Sequence, residues 1–262
     1  MVSSQRKSYI LKTAQAEGFV SIPKMAEKFG VSIETIRRDI NQLCDTHQLK
    51  KVHGGAALLK TPVRKDSNLM SRMYENQQGK IAICEEAIKM IKGGDVVTMD
   101  GGATTAVLAN CIRDVQNVTF VVNSLPIAAT LLEKIDSGEI TGKVVMIGGE
   151  LDPKSQCADD VLAATLVDKY HFDLGFFSCT SLSAESVSNS SLDGVLIRKM
   201  MDRCFVSVLI ADSDKLGKNS IYEYAKPADF DRIILDGQVP CPGELKKVLE
   251  DSDTELTVVH PE

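Results

Sequence analysis

The chain has 262 residues, of which 44% are hydrophobic and 25% are charged, a composition typical of globular proteins with one small and one medium-sized domain. Its apolar stretches are too short to cross a bilayer, and residues 1–18 lack the apolar core of a secretion signal, so we expect a cytoplasmic protein without membrane contact. The seven cysteines are odd in number and lack CxxC spacing, which argues against a disulfide framework and a zinc site.

The net charge of −6 is unevenly distributed along the chain. Residues 1–65 contain twelve Lys and Arg against five Asp and Glu, whereas the remainder contains 18 against 31. A basic N-terminal part on an acidic body indicates that this part alone meets a polyanion such as nucleic acid.

Three helical patterns with short turns between them occupy the start of the chain, at 4–17, 22–29 and 33–45. Ser21 is a plausible N-cap of the second helix; Gly30 favours the turn before the third, and Ser32 is a good N-cap for it. Apolar residues at spacings of three and four predict the buried face of the third helix. This face consists of Ile33, Ile36, Ile40 and Leu43. The succession is typical of a helix-turn-helix.

The outer face of the third helix and the segment after it carry side chains suited to DNA. Arginine recognises guanine edges in the major groove, and Thr or Asn contacts bases or phosphates. Alternation over 49–53 before two glycines predicts a hairpin, or wing, against the phosphate backbone. The alternative is an amphipathic helix whose arginines are merely solvated. The candidate DNA-binding residues are Ser32, Glu34, Thr35, Arg37, Arg38, Asn41, Lys50, Lys51 and His53.

The segments TIRRDINQL at 35–43 and KKVHGGA at 50–56 resemble the signature of the DeoR-type bacterial repressors. That family has a TIRRDL-like recognition helix followed by a RVHGGA-like wing. The resemblance implies a winged helix-turn-helix domain over residues 1–57 that binds double-stranded operator DNA. His47 stands where the family usually has Gly, so a slightly different helix end is expected.

Residues 58–75 lose periodicity and are predicted to be a linker. From residue 76 to residue 262, short apolar strands alternate with helices, which predicts an α/β domain with a parallel sheet covered on both faces. The predicted strands are 95–100, 117–122, 143–148, 172–179, 204–211 and 231–236.

Ligands of such sheets bind beyond the carboxyl ends of the strands. The GGATT turn after the first strand offers glycines and free helix N-terminal amides that suit an anion, and a lysine beyond the fifth strand adds positive charge. Each feature alone also fits a purely structural role as a turn, an N-cap or a solvated lysine. The turn matches neither a Walker loop nor GxGxxG, which disfavours nucleotide cofactors. The candidate effector-binding residues are Asp100, Gly101, Gly102, Ala103, Thr104, Thr105, Asn123, Ser124, Gly149 and Lys215.

The motifs DGGATT, VNS, the glycines near 148 and ADSDK resemble the effector domain of DeoR-type regulators. The resemblance implies a fold like ribose-5-phosphate isomerase and glucosamine-6-phosphate deaminase, and a phosphorylated sugar or related anionic metabolite as ligand. Ala103, Ile197 and the serine-rich stretch 181–194 depart from the family pattern and leave the identity of the effector open. A homodimer or homotetramer is expected because helix-turn-helix heads read paired half-sites.

Two functions stay open. The first is a DNA-binding transcriptional regulator, expected to repress a carbohydrate-utilisation operon under control of a sugar phosphate. The second is an active sugar-phosphate isomerase or deaminase, for which Asp100, Asp173 and Asp193 are available as bases but no catalytic His marks one of them. We expect no catalysis, cofactor or metal. A redox module is disfavoured because no cysteine lies among clustered bases, and the cysteines are interpreted as small buried hydrophobes.

Overall fold

The computed structural model describes residues 19–45, 49–52, 54–58, 69–190, 194–217 and 220–261, together with residues 3, 6, 7, 9, 10, 13 and 14. The chain divides into two compact units, Met1–Asp66 and Ser67–Glu262. Each unit has its own hydrophobic core.

The smaller unit combines helices with a three-stranded antiparallel sheet of order β1–β3–β2. Its elements are β1 (Phe19–Ser21), α1 (Ile22–Phe29), α2 (Ile33–Asp45), β2 (Leu49–Val52) and β3 (Gly55–Leu58). The described residues before β1 are also helical. Gly30 has a φ of 60° between the two helices, and Gly54 has a φ of 81° in the turn between β2 and β3. This is the predicted winged helix-turn-helix, with β1 as a strand too short to show alternation in the sequence.

The core of the smaller unit is formed by α1, α2, the helical residues before β1 and the three strands. Ile10, Ile36 and Ile40 are buried in it. Arg6 Nε donates a hydrogen bond to Asp39 Oδ2 at 2.7 Å, and both side chains are nearly inaccessible. The expectation for Ile33 was wrong, because this first residue of α2 lies beyond the edge of the small core and is 47% exposed.

The larger unit contains a parallel sheet of order β13–β12–β10–β7–β4–β5–β6. The strands of this sheet are β4 (Val96–Met99), β5 (Val118–Val122), β6 (Gly142–Met146), β7 (Phe172–Phe177), β10 (Cys204–Ala211), β12 (Arg232–Asp236) and β13 (Glu255–Val259). The fold class is confirmed, and the six predicted strands are present. The edge strand β13 was missed because its side chains are partly exposed and its sequence is not a continuous apolar run.

Helices cover both faces of the parallel sheet. One core joins the sheet to α3 (Leu69–Tyr74), α4 (Gln77–Ile88), α5 (Ala103–Cys111) and α6 (Leu125–Asp136). The other joins it to α7 (Val161–Val167), α8 (Gly194–Asp202) and α9 (Gly243–Glu250). No helix in the described ranges combines the length and the apolar character that crossing a bilayer requires.

A small antiparallel sheet, also missed in the sequence, contains β8 (Ser181–Leu182), β9 (Val187–Asn189) and β11 (Tyr222–Ala225). β8 and β9 fall in the serine-rich stretch, whose polar composition masks strand character. Residues 191–193 of that stretch lie outside the described residues.

The predicted linker 58–75 differs from the structure at both ends. Leu58 is the last residue of β3, and Leu69–Tyr74 forms α3. Leu69 is buried in the core of the larger unit, which explains how an irregular charged sequence can still contain a packed helix. Residues 59–68 lie outside the described residues.

A buried ion pair joins α4 to the carboxyl end of β10. Lys80 Nζ lies 2.8 Å from Asp212 Oδ2, and the two side chains are 1% and 0% exposed. Lys80 Nζ also donates to the Glu75 carbonyl. Because a charge is very costly to remove from water without a partner, the two side chains depend on each other.

Replacing Lys80 with Met leaves the Asp212 carboxylate buried without its counter-ion. We expect Lys80→Met to lower the free energy of unfolding by about 3–5 kcal/mol. The matched control is Lys89→Met at the end of the same helix, where an exposed lysine pairs with Glu86 and the expected loss is below about 1 kcal/mol. Denaturant unfolding of both full-length variants measures the difference, and equal small losses would contradict the prediction.

Candidate functional site

The outer face of α2 presents polar side chains to solvent. Arg37 and Glu34 are 59% and 71% exposed and form an ion pair of 3.5 Å. Arg38 and Asn41 are also exposed. This polar surface lies opposite the apolar face of the helix, so most of the candidate residues on α2 share one accessible side.

The start of α2 is fixed by a cap. Ser32 Oγ accepts a hydrogen bond from the Thr35 amide at 3.2 Å, and the two hydroxyls lie 2.9 Å apart. The Ser32 cap is as the sequence predicts. Ser21 occupies the corresponding N-cap position of α1, but its side chain makes no cap hydrogen bond.

The wing contributes an exposed lysine. Lys51 lies on β2, which pairs with β3 in antiparallel register, and its side chain is exposed. Lys50 is also a β2 residue, but its side chain lies outside the described residues, as does His53 as a whole. Not every basic residue of this unit is available to a ligand, since Arg6 is held by Asp39.

In the larger unit, the strand order reverses next to β4. The chain runs from β4 to β5 and β6 on one side and returns to β7 on the other. Such a reversal opens a crevice beyond the carboxyl ends of the two central strands, here β4 and β7. The residues that follow these strands are Asp100 and Ser178.

Asp100 is buried and surrounded by donors. Its carboxylate accepts hydrogen bonds from the Ser178 amide at 2.8 Å, the Ser178 hydroxyl at 3.0 Å, the Thr105 hydroxyl at 2.8 Å and the Gly102 amide at 3.2 Å. Burial raises the pKa of Asp100, and these hydrogen bonds oppose the rise. Asp100 and Thr105 therefore hold the GGATT turn in place, whereas the sequence predicted that both would offer their polar atoms to a ligand.

The glycines of the turn are required by neighbouring side chains. A Cβ on Gly101 would lie 2.1 Å from Cys157 Sγ, and a Cβ on Gly102 would lie 1.7 Å from Ser178 Oγ. The protein itself thus fills the space that glycine leaves open. Ala103 and Thr104 then begin α5, at the end of the helix where free amides favour an anion.

The carboxyl end of β5 places Asn123 beside a carboxylate that the sequence did not single out. Asn123 Nδ2 donates to Asp159 Oδ1 at 2.6 Å. Within the described part of the chain, the buried Asn123 Oδ1 has no hydrogen-bond partner. Burial raises the pKa of Asp159 to about 6, and Asp100, Asp152 and Asp160 add like-charge repulsion.

The remaining candidates surround the same strand ends. Ser124 occupies the N-cap position of α6 without a cap hydrogen bond from its side chain, and its buried hydroxyl has no hydrogen-bond partner among the described residues. Gly149 has a φ of 153° and packs against Asp160, the N-cap of α7. Lys215 is partly exposed beyond β10 and acts electrostatically on Cys179, as Asp100 does, so both charges lie near that thiol.

Sequence reasoning missed Ser178, Cys157 and Asp159. Ser178 directly follows the buried part of β7, so the rule that selected Asp100 could also have selected it. Cys157 and Asp159 follow no strand of the parallel sheet, and their approach to the site depends on the loop between β6 and α7. Ile197, which departs from the family pattern, is a residue of α8 whose side chain is buried in the core.

The raised pKa of Asp159 predicts a pH-dependent stability. An unfolded Asp titrates near 3.8 and the folded one near 6, so the folded chain binds more protons between these values and this group lowers stability as pH rises through the window. Asp159→Asn removes the effect and keeps an acceptor for Asn123. As pH rises from 4 to 7, we expect the free energy of unfolding of the variant to increase by about 1–3 kcal/mol relative to that of the wild type.

The control for Asp159→Asn is Asp152→Asn, in the same loop. The Ser155 amide lowers the pKa of Asp152. The ionised Asp152 side chain therefore stabilises the fold at pH values above the ordinary pKa of Asp, and this contribution is lost as pH falls. The difference from wild type should have the opposite slope. Unfolding free energies at several pH values test both, and a difference independent of pH for Asp159→Asn would contradict the prediction.

Two family profiles match the chain and together cover both units. The DeoR-like helix-turn-helix domain matches residues 6–62, and the DeoR C terminal sensor domain matches residues 75–237. Among solved structures, a D-ribose-5-phosphate isomerase in complex with phospho-erythronic acid aligns with 52% of this chain and 52% of its own. The sequence identity is 14% and the TM-score is 0.37, so the similarity is distant.

Curated relatives match along almost the whole chain. The glycerol-3-phosphate regulon repressor of Escherichia coli is 26% identical over 98% of this chain and 99% of its own. The HTH-type transcriptional regulator IolR of Bacillus subtilis is 31% identical over 87% of this chain and 86% of its own. With a sensor-domain match over more than half of its length and a helix-turn-helix match before it, the chain belongs to the DeoR family of transcriptional regulators.

Proposed function

We propose that this protein is a cytoplasmic repressor of a carbohydrate-utilisation operon that releases or retains its operator in response to a phosphorylated sugar. The observation that carries the proposal is the exposed polar face of α2, with Arg37 and Arg38 on a helix-turn-helix scaffold. Relatives named as repressors support it.

Recognition of DNA is assigned to two kinds of contact. Arg37, Arg38 and Asn41 on α2 would meet base edges, because a helix fits the major groove and Arg forms bidentate bonds with guanine. Lys51 on the wing would meet phosphates, which position the protein without reading sequence. The ordered cap at Ser32 supports this assignment because it fixes where α2 begins.

The effector is assigned to the strand ends around β4 and β7. Its phosphate would lie between the N-terminus of α5 and Lys215, away from the carboxylates of Asp159 and Asp160, because like charges repel. Its hydroxyl groups would face Asn123 and Asp159, where an acceptor oxygen lacks a donor among the described residues. This division matches a ligand with one anionic end and one polyhydroxyl end.

We propose that the larger unit senses its ligand without converting it. Enolisation of a sugar phosphate requires a base free to take a proton. Asp100 is saturated by donors, and Asp173 lies at the amino end of the central strand β7, away from the carboxyl ends of the strands, where it accepts from the Val96 amide. Asp193 lies outside the described residues.

A regulator of this type would act as a homodimer or homotetramer, since two helix-turn-helix heads are needed for paired half-sites. Effector binding would change operator affinity only through a difference in affinity for two arrangements of the assembly; a tenfold change corresponds to about 1.4 kcal/mol.

Two variants test the DNA assignment on a duplex selected from random sequence by the wild-type protein. Arg37→Ala should cost about 1–3 kcal/mol and relax base preference, whereas Lys51→Ala should weaken all duplexes and reduce the salt slope by about one. Lys246→Ala is the control, because this exposed lysine belongs to the larger unit. Wild-type binding by both head variants would remove α2 and the wing from the interface.

The effector assignment is tested by thermal shift with glycerol 3-phosphate and with pentose and hexose phosphates, each beside its dephosphorylated form. A true ligand at one hundred times its Kd adds about 2.7 kcal/mol of apparent stability, and the dephosphorylated form should add far less. Lys215→Ala should weaken binding at least about tenfold, because it removes the positive charge that would attract the phosphate. Lys143→Ala, an exposed lysine at the amino end of β6, should not. Unchanged titration of Lys215→Ala, or product formation, would contradict the assignment.

A further inference from the structure

A large apolar side chain at the start of α2 is exposed. Ile33, the first residue of this helix, is 47% exposed and does not belong to the buried and partly buried side chains that form the core of the smaller unit. Ile36, one turn later, is fully buried. Among the described residues of the smaller unit, the other exposed large apolar side chain is Val52, at the end of the wing strand β2. Both exposed side chains thus lie on the elements assigned to DNA.

The fold gains little from an isoleucine at this position. A β-branched side chain loses rotamer freedom in a helix, so Ile favours a helix less than Ala does. The start of α2 depends on its neighbours instead, since the Ser32 hydroxyl accepts the hydrogen bond from the Thr35 amide. The exposed part of the Ile33 side chain remains in contact with water, where it contributes no hydrophobic stabilisation. This apolar surface is therefore available to a binding partner.

Ile33 lies beside the arginine that we assign to base recognition. Residues four apart are neighbours on the surface of a helix, so Ile33 is next to Arg37, whose side chain is 59% exposed. In helix-turn-helix proteins, the N-terminal residues of the recognition helix are the ones that contact base edges. Four residues of helix correspond to a rise of about 6 Å, or roughly two base-pair steps. Ile33 thus lies where a recognition helix contacts bases.

Charge complementarity indicates DNA as the partner of this surface. Residues 1–65 contain twelve Lys and Arg against five Asp and Glu, which favours a polyanion. In the major groove, bases present hydrogen-bond donors and acceptors, and the apolar group among them is the 5-methyl group of thymine. An isoleucine side chain neither donates nor accepts a hydrogen bond. The feature of a base that Ile33 can recognise is therefore the thymine methyl group.

We propose that Ile33 is a specificity-determining residue that contacts the 5-methyl group of a thymine in the operator, close to the guanine assigned to Arg37. The inference rests on the function proposed above, because it requires α2 to lie in the major groove. The contact removes both the methyl group and the Ile33 side chain from water. Cytosine lacks the methyl group, so the contact favours thymine over cytosine at this position.

The test uses the full-length protein and the duplex that the wild-type protein selects from random sequence. Each thymine is replaced in turn by deoxyuridine, which removes the methyl group and keeps every hydrogen-bonding group. At one thymine of a half-site, the replacement should weaken wild-type binding about fourfold, the equivalent of about 0.8 kcal/mol for one buried apolar carbon. Ile33→Ala should bind the thymine and deoxyuridine duplexes at this position with affinities within about twofold of each other.

Ile221→Ala is the matched control, because it makes the same change at an isoleucine that is 72% exposed in the larger unit. This variant should keep the wild-type preference for thymine. Ile33→Ala should leave the salt slope of binding unchanged, in contrast to Lys51→Ala, because it removes no phosphate contact. It should also unfold at the wild-type temperature, since the lost side chain is exposed and Ala is a good helix former.

The proposal is overturned if deoxyuridine weakens wild-type binding at no position, or if Ile33→Ala shows the wild-type loss at every position. The first of these outcomes needs no variant, so it decides the matter even where Ile33→Ala folds poorly. Arg37→Ala separates failure of this inference from failure of the proposed function. If Arg37→Ala loses affinity and base preference, α2 contacts the bases and only the role of Ile33 is wrong. If it binds like the wild type, the assignment of α2 to the major groove fails as well.

Discussion

Burial of carboxylates at the carboxyl ends of the central strands is the constraint on which the larger unit depends. Asp100, Asp212 and Asp236 follow or end β4, β10 and β12, and each is at most 1% exposed. A buried carboxylate is tolerated only when donors or a counter-ion satisfy it. The protein meets this requirement differently at each strand. The hydrogen bonds and the ion pair that satisfy the carboxylates also fix the conformation of the loops after the strands.

Each carboxylate fixes a different part of the strand-end surface. Asp100 holds the GGATT turn and the residue after β7 together, so the turn geometry does not depend on a ligand. Asp212 depends on Lys80 from α4. Asp236 accepts from the amides of Ser213 and Gln238 and from the Asn76 side chain. The strand-end surface is therefore ordered before a ligand binds, which reduces the loss of conformational entropy on binding.

The same constraint limits what the strand-end surface can bind. Carboxylates that are saturated by internal donors have little capacity left for a ligand, whereas the buried Asn123 Oδ1 has no donor among the described residues and the neighbouring Asp159 is partly exposed. An anionic group is directed away from this acidic side by repulsion. The proposed orientation of a sugar phosphate follows from this asymmetry. It is also the reason why we assign no catalytic base to the site.

Much of the fold was predictable because its signals are local. The period of apolar residues on α2, its Ser32 cap and the apolar runs of β4, β5, β7 and β10 require only neighbours in the chain. The weak points were also local: the edge strand β13, the serine-rich β8 and β9, and α3 within the predicted linker lack a clear pattern. Packing against a distant core decides these elements, as the burial of Leu69 shows.

By itself, the amino-acid sequence determined the two-part organisation, the helix-turn-helix with its basic outer face, the parallel α/β class and the strand ends at which polar residues collect. Only the tertiary structure decided which of those residues are occupied internally, as Asp100 and Thr105 are, and which distant side chains join them, such as Ser178 and Asp159. The physical reason is that hydrogen-bond saturation and burial depend on distances between segments far apart in the chain, which no local pattern encodes.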